Sequence, residues 1–195
     1  MAITNGYCTL AELKARLAIT DSVDDGVLKA VVEAASRAID NWTDRVFYAT
    51  TATRYFTAED GDLLFVDDLL TVTTLKTVSQ NSAGARTYGD TWATVDYDLE
   101  PFNSTPKTRI RINPGGRYAF PTEAKGVEIV GSWGYASTAP DAINEACLLQ
   151  AARLFKRKDS PFGVAGTPET GTMALPRLDP DVRMLLEPYR RLEVL

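Results

Sequence analysis

The feature that most restricts the fold is a change of period along the chain. Leu28, Val31, Val32, Ala35, Ala38, Ile39 and Trp42 recur every three or four residues, the spacing of one face of a long helix. From Arg54 to Tyr135 that period is lost. The segment is rich in Thr, Val, Tyr and Trp and is punctuated by Gly, Pro, Asn and Asp, which predicts antiparallel strands joined by turns. After Pro140 the helical period returns, with Ile143, Cys147, Gln150, Ala151 and Leu154 on one face and Leu148, Ala152 and Phe155 beside it. A strand-rich block bracketed by helices gives an α+β fold: a small helical bundle with an inserted antiparallel β region and a C-terminal arm ending in a short helix. The expected division is 1–50 for the N-terminal helices, 51–139 for the β region, 140–160 for the returning bundle helix and 161–195 for the arm and last helix.

Local signals refine these limits. Thr9 followed by Glu12 forms a capping box ahead of Leu10, Leu13 and Leu17, so a short helix is predicted over Thr9 to Ile19. The acids between Asp21 and Asp25 suit the positive end of the long helix that follows. Strands are expected near Arg54 to Phe56, Leu63 to Phe65, Thr73 to Ser79, Asp96 to Leu99, Arg109 to Ile112 and Val127 to Trp133. Turns are expected at Glu59 to Asp62, Asn81 to Arg86 and Pro114 to Arg117, with Asp67-Asp68 as a further turn. The helix after Pro140 ends in Lys156, Arg157 and Lys158, cations suited to the negative end of its dipole, before Ser160-Pro161 stops it. Phe162 to Arg177 lacks periodicity and reads as a loop or extended arm, and a final helix is predicted over Asp181 to Leu192.

Composition excludes several chemistries. The chain has no histidine among its 195 residues, which removes Ser-His-Asp and Cys-His catalysis, His-ligated metals and a histidine pH switch. Its two cysteines, Cys8 and Cys147, lie far apart among apolar neighbours and are expected to be buried reduced thiols rather than a disulfide framework. The net charge of -5 argues against wrapping nucleic acid, and acidity is concentrated in the first 70 residues, which carry 12 acidic and 6 basic groups. The chain opens without a basic region followed by an apolar run, and no stretch approaches the roughly 20 apolar residues of a membrane span. A soluble protein made in the cytoplasm is the expectation, with no membrane partner.

Three constellations bear on function. Asp96, Asp98 and Glu100 alternate along a predicted strand, so their carboxylates share a face that either is solvated or holds a hard cation for a metal-dependent hydrolase. No second acidic cluster supports the metal, and the solvated face is favoured. Lys107, Arg109 and Arg111 likewise share one face opposite Ile110 and Ile112, with Arg117 beyond a Gly-Gly turn. They suit phosphate or a partner's carboxylates in a monomeric binding module, or simply an exposed basic face. Arg153, Lys156, Arg157 and Lys158 have the same bland alternative in helix capping. The third constellation is the tail, where Val182, Leu185, Leu186 and Tyr189 form an apolar stripe rimmed by Arg183, Arg190 and Arg191. A helix of about three turns is marginal alone, so it must dock on its own core, on a neighbouring subunit or on another protein.

Seven short motifs mark the order of these parts. Three of them lie in the N-terminal half. They are Tyr7-x-Thr9-Leu10-x-x-Leu13-Lys14, the helix end Ile39-Asp40-x-x-Thr43-x-Arg45-x-Phe47, and Asp68-Leu69-Leu70-x-Val72-Thr73-x-Leu75. The later ones are Val130-x-x-x-Trp133-Gly134-Tyr135, Pro140-x-x-Ile143-x-x-Ala146, Phe155-Lys156-Arg157-x-x-Ser160-Pro161-Phe162-Gly163 and Asp179-Pro180-x-Val182-x-x-Leu185-Leu186-x-Pro188-Tyr189-Arg190. In these motifs and their order the chain resembles the head-tail connector, or adaptor, family of tailed phages and of the phage-derived gene transfer agents. The resemblance implies a nonenzymatic virion protein without cofactor or metal, assembled as a ring, expected to be twelvefold, beneath the portal. That ring joins the portal to a tail-side stopper or tail completion protein and lets DNA pass without specific binding. In the family the C-terminal arm and helix engage the portal, so Val182, Leu185, Leu186, Tyr189 and Arg190 are the candidate portal contacts.

Overall fold

The computed structural model describes residues 2–82, 85–116, 118–157, 164–165, 173–174 and 178–191. They divide into two compact units, one from residues 1–47 and 139–195 and the other from residues 48–138.

The first unit is helical. Helix α1 (Leu10–Leu17) starts where predicted: Thr9 Oγ1 accepts from Glu12 N at 3.2 Å while Thr9 N donates to Glu12 Oε2 at 2.7 Å. This reciprocal bonding satisfies donors that a helix start leaves orphaned, and it holds the Glu12 carboxylate below its ordinary range. Helix α2 (Asp25–Thr43) buries Leu28, Val32, Ala35 and Ile39 of the face read from its spacing, together with Ser36 and Thr43, while Val31, Ala38 and Trp42 are half-buried. Helix α3 (Asp141–Lys156) begins after Pro140 and buries Ile143, Ala146, Cys147, Leu148, Gln150, Ala151 and Phe155. Arg16 pairs with Glu145 between α1 and α3, and Lys14 Nζ stands 2.8 Å from Asp25 Oδ1 between α1 and α2. Helix α4 (Pro180–Leu186) is shorter than predicted and passes into a 3-10 turn at Glu187–Tyr189. Pro188 has no N–H to continue an α-helical ladder, and Arg190 is extended. Leu192 lies outside the described residues.

The second unit is one antiparallel sheet of six strands: β1 (Thr50–Phe56), β2 (Leu63–Ser82), β3 (Ala85–Thr91), β4 (Tyr97–Glu100), β5 (Lys107–Ile112) and β6 (Val127–Trp133). Their order is β1-β6-β2-β5-β4, with β3 also on β2. The 20-residue β2 replaces the two short strands and the Asp67-Asp68 turn expected from sequence. It remains one strand by changing partners, pairing β5 over Leu63–Leu69, β6 over Leu69–Thr77 and β3 over Lys76–Ser82. Register shifts accompany each change, and Asp67 and Asp68 fall inside one of them. Asp67 Oδ2 accepts from Arg54 Nη1 at 2.6 Å, and the Asp68 carbonyl accepts from Gly134 N at 2.8 Å. Strand β6 alternates cleanly, burying Val127, Ile129, Gly131 and Trp133. Gly131 is required by close approach: a Cβ there would stand 2.4 Å from the Thr71 carbonyl oxygen of β2. Leu64, Leu69, Leu75, Ile110, Ile129 and Trp133 fill the core, and Trp92 stacks with Tyr118 and with Phe120 at centroid separations of 5.0 and 4.7 Å.

Of the arm read over Phe162 to Arg177, the described residues form the antiparallel pair β7 (Val164–Ala165) and β8 (Met173–Ala174). The remainder of the arm, with Lys158 to Pro161 and Arg117, lies outside the described residues. No helix among them is long and apolar enough to cross a membrane.

Candidate functional site

The tail stripe docks on its own helical unit. Asp179 caps α4 by accepting from Asp181 N at 3.0 Å, and Arg153 Nη1 of α3 stands 3.2 Å from Asp179 Oδ2, fixing where the helix begins. Val182 and Leu186 are fully buried. The Tyr189 ring meets Phe47 edge-on at 5.7 Å, and Phe47 in turn meets Tyr7 at 5.6 Å. Beyond them Arg191 N donates to the Thr43 carbonyl at 2.8 Å, satisfying one of the carbonyls left open at the end of α2. Arg183 and Arg190 both lie over the Trp42 ring, at 4.9 and 5.5 Å.

This geometry divides the five predicted contacts. Val182 and Leu186 are spent on intramolecular packing, so they cannot also face a partner while α4 stays docked. Leu185 and Tyr189 are half-buried, and Arg190 is exposed. The outer face also presents Met184, at 71% exposure, with Arg183 and Glu187. Together with Leu178 and Pro180 these three residues line a shallow groove of about 400 Å³. The sequence reading missed Met184 because it lies off the stripe. It also missed the Trp42 platform, although Arg183 and Arg190, seven residues apart, shared one face of the predicted helix.

Beside Phe47, Tyr7 O–H donates to Asp40 and its oxygen accepts from Phe47 N at 2.9 Å. Burial, then the bond to Asp40, pushes the Tyr7 hydroxyl far up, and burial likewise raises the Asp40 carboxyl. Tyr7 therefore acts as a fixed neutral strut between the chain start, α2 and Phe47.

The metal reading fails on geometry. Asp96 Oδ2 accepts from Ala93 N at 2.7 Å in its own turn, and Asp98 is exposed. Glu100 is claimed by Arg111 at 2.8 Å and Arg109 at 3.4 Å, and the Arg111 hydrogen bond holds its carboxylate below the ordinary range. The described residues contain no group of three or more Cys, Asp or Glu able to hold a metal ion. The same contacts occupy the basic strand, since Lys107 Nζ donates to the Pro101 and Phe102 carbonyls at 2.6 and 3.0 Å. Arg109 and Arg111 neutralise Glu100 instead of forming a phosphate cradle. At the end of α3, Arg153, Lys156 and Arg157 do more than complement the dipole. With Arg16, Leu17, Leu149 and Ala152 they line a cavity of about 450 Å³.

The chain contains an N-terminal capping-box helix, a long second helix ending at Thr43 and the strands that follow. Residues 7–81 match the family of phage gp6-like head-tail connector proteins. This segment holds the first three motifs that carry the resemblance, from Tyr7 to Leu75. The connector resemblance therefore stands on a family match as well as on motif order. Among solved structures, a chain from the neck of an empty GTA particle computed with C6 symmetry shares the fold at a TM-score of 0.65 and 24% identity, covering 100% of this chain and 95% of that one. A chain from the neck of a native GTA particle computed with C12 symmetry gives 0.62 and 23%, covering 100% and 94%. One from the virion of a native gene transfer agent particle gives 0.59 and 23%, covering 100% and 95%. No curated protein matches the chain.

Proposed function

We propose that this protein is a structural head-tail connector of a tailed phage or gene transfer agent. In this reading it is made in the host cytoplasm and then built into the neck of the particle as a ring that joins the portal to the tail-side stopper and encloses the DNA channel. The observation that carries the proposal is the connector-family match over residues 7–81. The whole-length fold shared with neck chains supports it, and the C12 reconstruction of one such neck favours a twelvefold ring. The net charge of -5 agrees, because an acidic channel wall repels DNA phosphates and lets the genome pass without sticking. No catalytic step is assigned.

The portal-facing surface is the outer side of α4, through Leu185, Tyr189 and Arg190 together with Met184. Val182 and Leu186 serve by holding α4 in place. The test is quantitative mass spectrometry of DNA-filled particles purified from the source, counting this chain against the portal protein. A ratio near one to one is expected for rings of equal number, and absence of the chain from the particles overturns the connector reading. For the surface, a Met184→Glu variant is expected to melt like the wild type yet lose incorporation into particles. Full incorporation would remove α4 from the portal contact.

A further inference from the structure

The expectation of two buried reduced thiols left out their position. Cys8 and Cys147, 139 residues apart, stand with their Sγ atoms 3.3 Å from each other within hydrogen-bond reach, not joined by a disulfide and both buried, at 3% and 0% exposure. A disulfide sulfur pair is about 2.0 Å apart, so closure asks for roughly 1 Å of approach. The backbone around the pair is already pinned. Tyr7 N donates to Ser36 Oγ at 3.1 Å, and Asn144 Nδ2, one turn before Cys147, donates to the Tyr7 carbonyl at 2.9 Å. We propose that Cys8 and Cys147 form an oxidative cross-linking site, at which a small-molecule disulfide of the glutathione type converts them to an intramolecular disulfide tying the N-terminal segment to α3.

The chemistry is ordinary thiol-disulfide exchange. The Cys147 sulfur, as thiolate, attacks one sulfur of the oxidant, forming a mixed disulfide and releasing one small thiolate. The Cys8 sulfur then attacks the Cys147 sulfur and releases the second. Two protein thiols are oxidised, the oxidant's disulfide is reduced to two small thiols, and the two protons from the cysteines end on them. The hydrogen bond shared with Cys8 holds the Cys147 thiol below its ordinary value against the opposing effect of burial, while the same bond and burial push Cys8 up. Ser36 Oγ, 3.4 Å from Cys147 Sγ, is a further polar neighbour.

Such a site stays reduced in a cytoplasm and closes in an oxidising medium. If the protein leaves its host in a particle, the bond forms after assembly and locks the bundle. That use rests on the connector reading, whereas the bond itself does not. Closing a loop of this length stabilises mainly by restricting the unfolded chain.

The experiment uses the purified full chain in glutathione disulfide, with and without mild urea so that burial does not block the reagent. After full denaturation and alkylation, mass spectrometry should show loss of both alkylatable thiols and one cross-linked peptide pair containing Cys8 and Cys147. The melting temperature should rise by about 5 to 15 °C and fall back on reduction. Cys8→Ser and Cys147→Ser variants, near-isosteric and expected to fold, should show no rise. Two alkylatable thiols persisting after the urea treatment, mixed glutathione adducts that do not resolve, or disulfide-linked dimers would each overturn the proposal. None of these outcomes bears on the particle stoichiometry that tests the connector reading.

Discussion

Replacing Leu186 by Ala tests whether α4 is part of the helical core or merely lies near it. The side chain is fully buried, so the substitution removes three carbons from a filled site and is expected to cost about 2 to 5 kcal/mol. Helix α4 has only seven residues and does not hold together alone, so a second response competes. If the lost packing exceeds what seats α4, the segment detaches and the loss stops at the docking energy. The two responses separate in one sample. Urea denaturation reads the global loss, while hydrogen exchange at Arg191 N–H, bonded to the Thr43 carbonyl, reads detachment. Met184→Ala on the outer face is the control and should stay within about 0.5 kcal/mol of wild type. A Leu186→Ala change below about 0.5 kcal/mol with unaltered exchange at Arg191 would refute the docking argument.

Three further outcomes follow from other parts of the molecule. Thr9→Ala removes the acceptor of the capping box and should cost about 0.5 to 2 kcal/mol by urea denaturation, and loss of the Thr9 hydroxyl should let the Glu12 pKa rise toward its ordinary value by NMR titration. Gly131→Ala places a carbon against backbone rather than a flexible side chain. It should destabilise the β unit by about 1 to 3 kcal/mol and weaken amide protection at Thr71 and Val72, and a neutral effect would contradict the close approach of β2 and β6. Glu100 has a folded pKa below its unfolded value, so its contribution is present above the ordinary carboxylate range and is lost as pH falls through the lowered value. Glu100→Gln should therefore flatten the acid limb of the stability profile below about pH 4.5, and an identical limb would show that Arg109 and Arg111 do not hold the carboxylate.

The sequence by itself determined whatever depends on neighbours a few residues away. The Thr9-Glu12 box is a contact between residues three apart, so the start of α1 follows from residue types alone. The faces of α2 and α3 follow from the helical period, and β6 from its β-branched and aromatic composition within a turn-punctuated segment. Strand β3 gave no such signal because all but one of its side chains are exposed, and residues 81–86 read as a turn. Tertiary structure decided whatever depends on partners distant in sequence. Asp67-Asp68 has turn composition, yet β2 runs through it because β5 pairs on one side and β6 on the other. The acids and cations of β4 and β5 looked like two separate sites, and the register sets them opposite one another so that they neutralise. The tail stripe read correctly as a docking face, but what it docks on was invisible until Phe47 and Trp42 stood beneath it. Nothing in the spacing of Cys8 and Cys147 placed them side by side, since local pattern records which side chains turn inward but not which of them meet there.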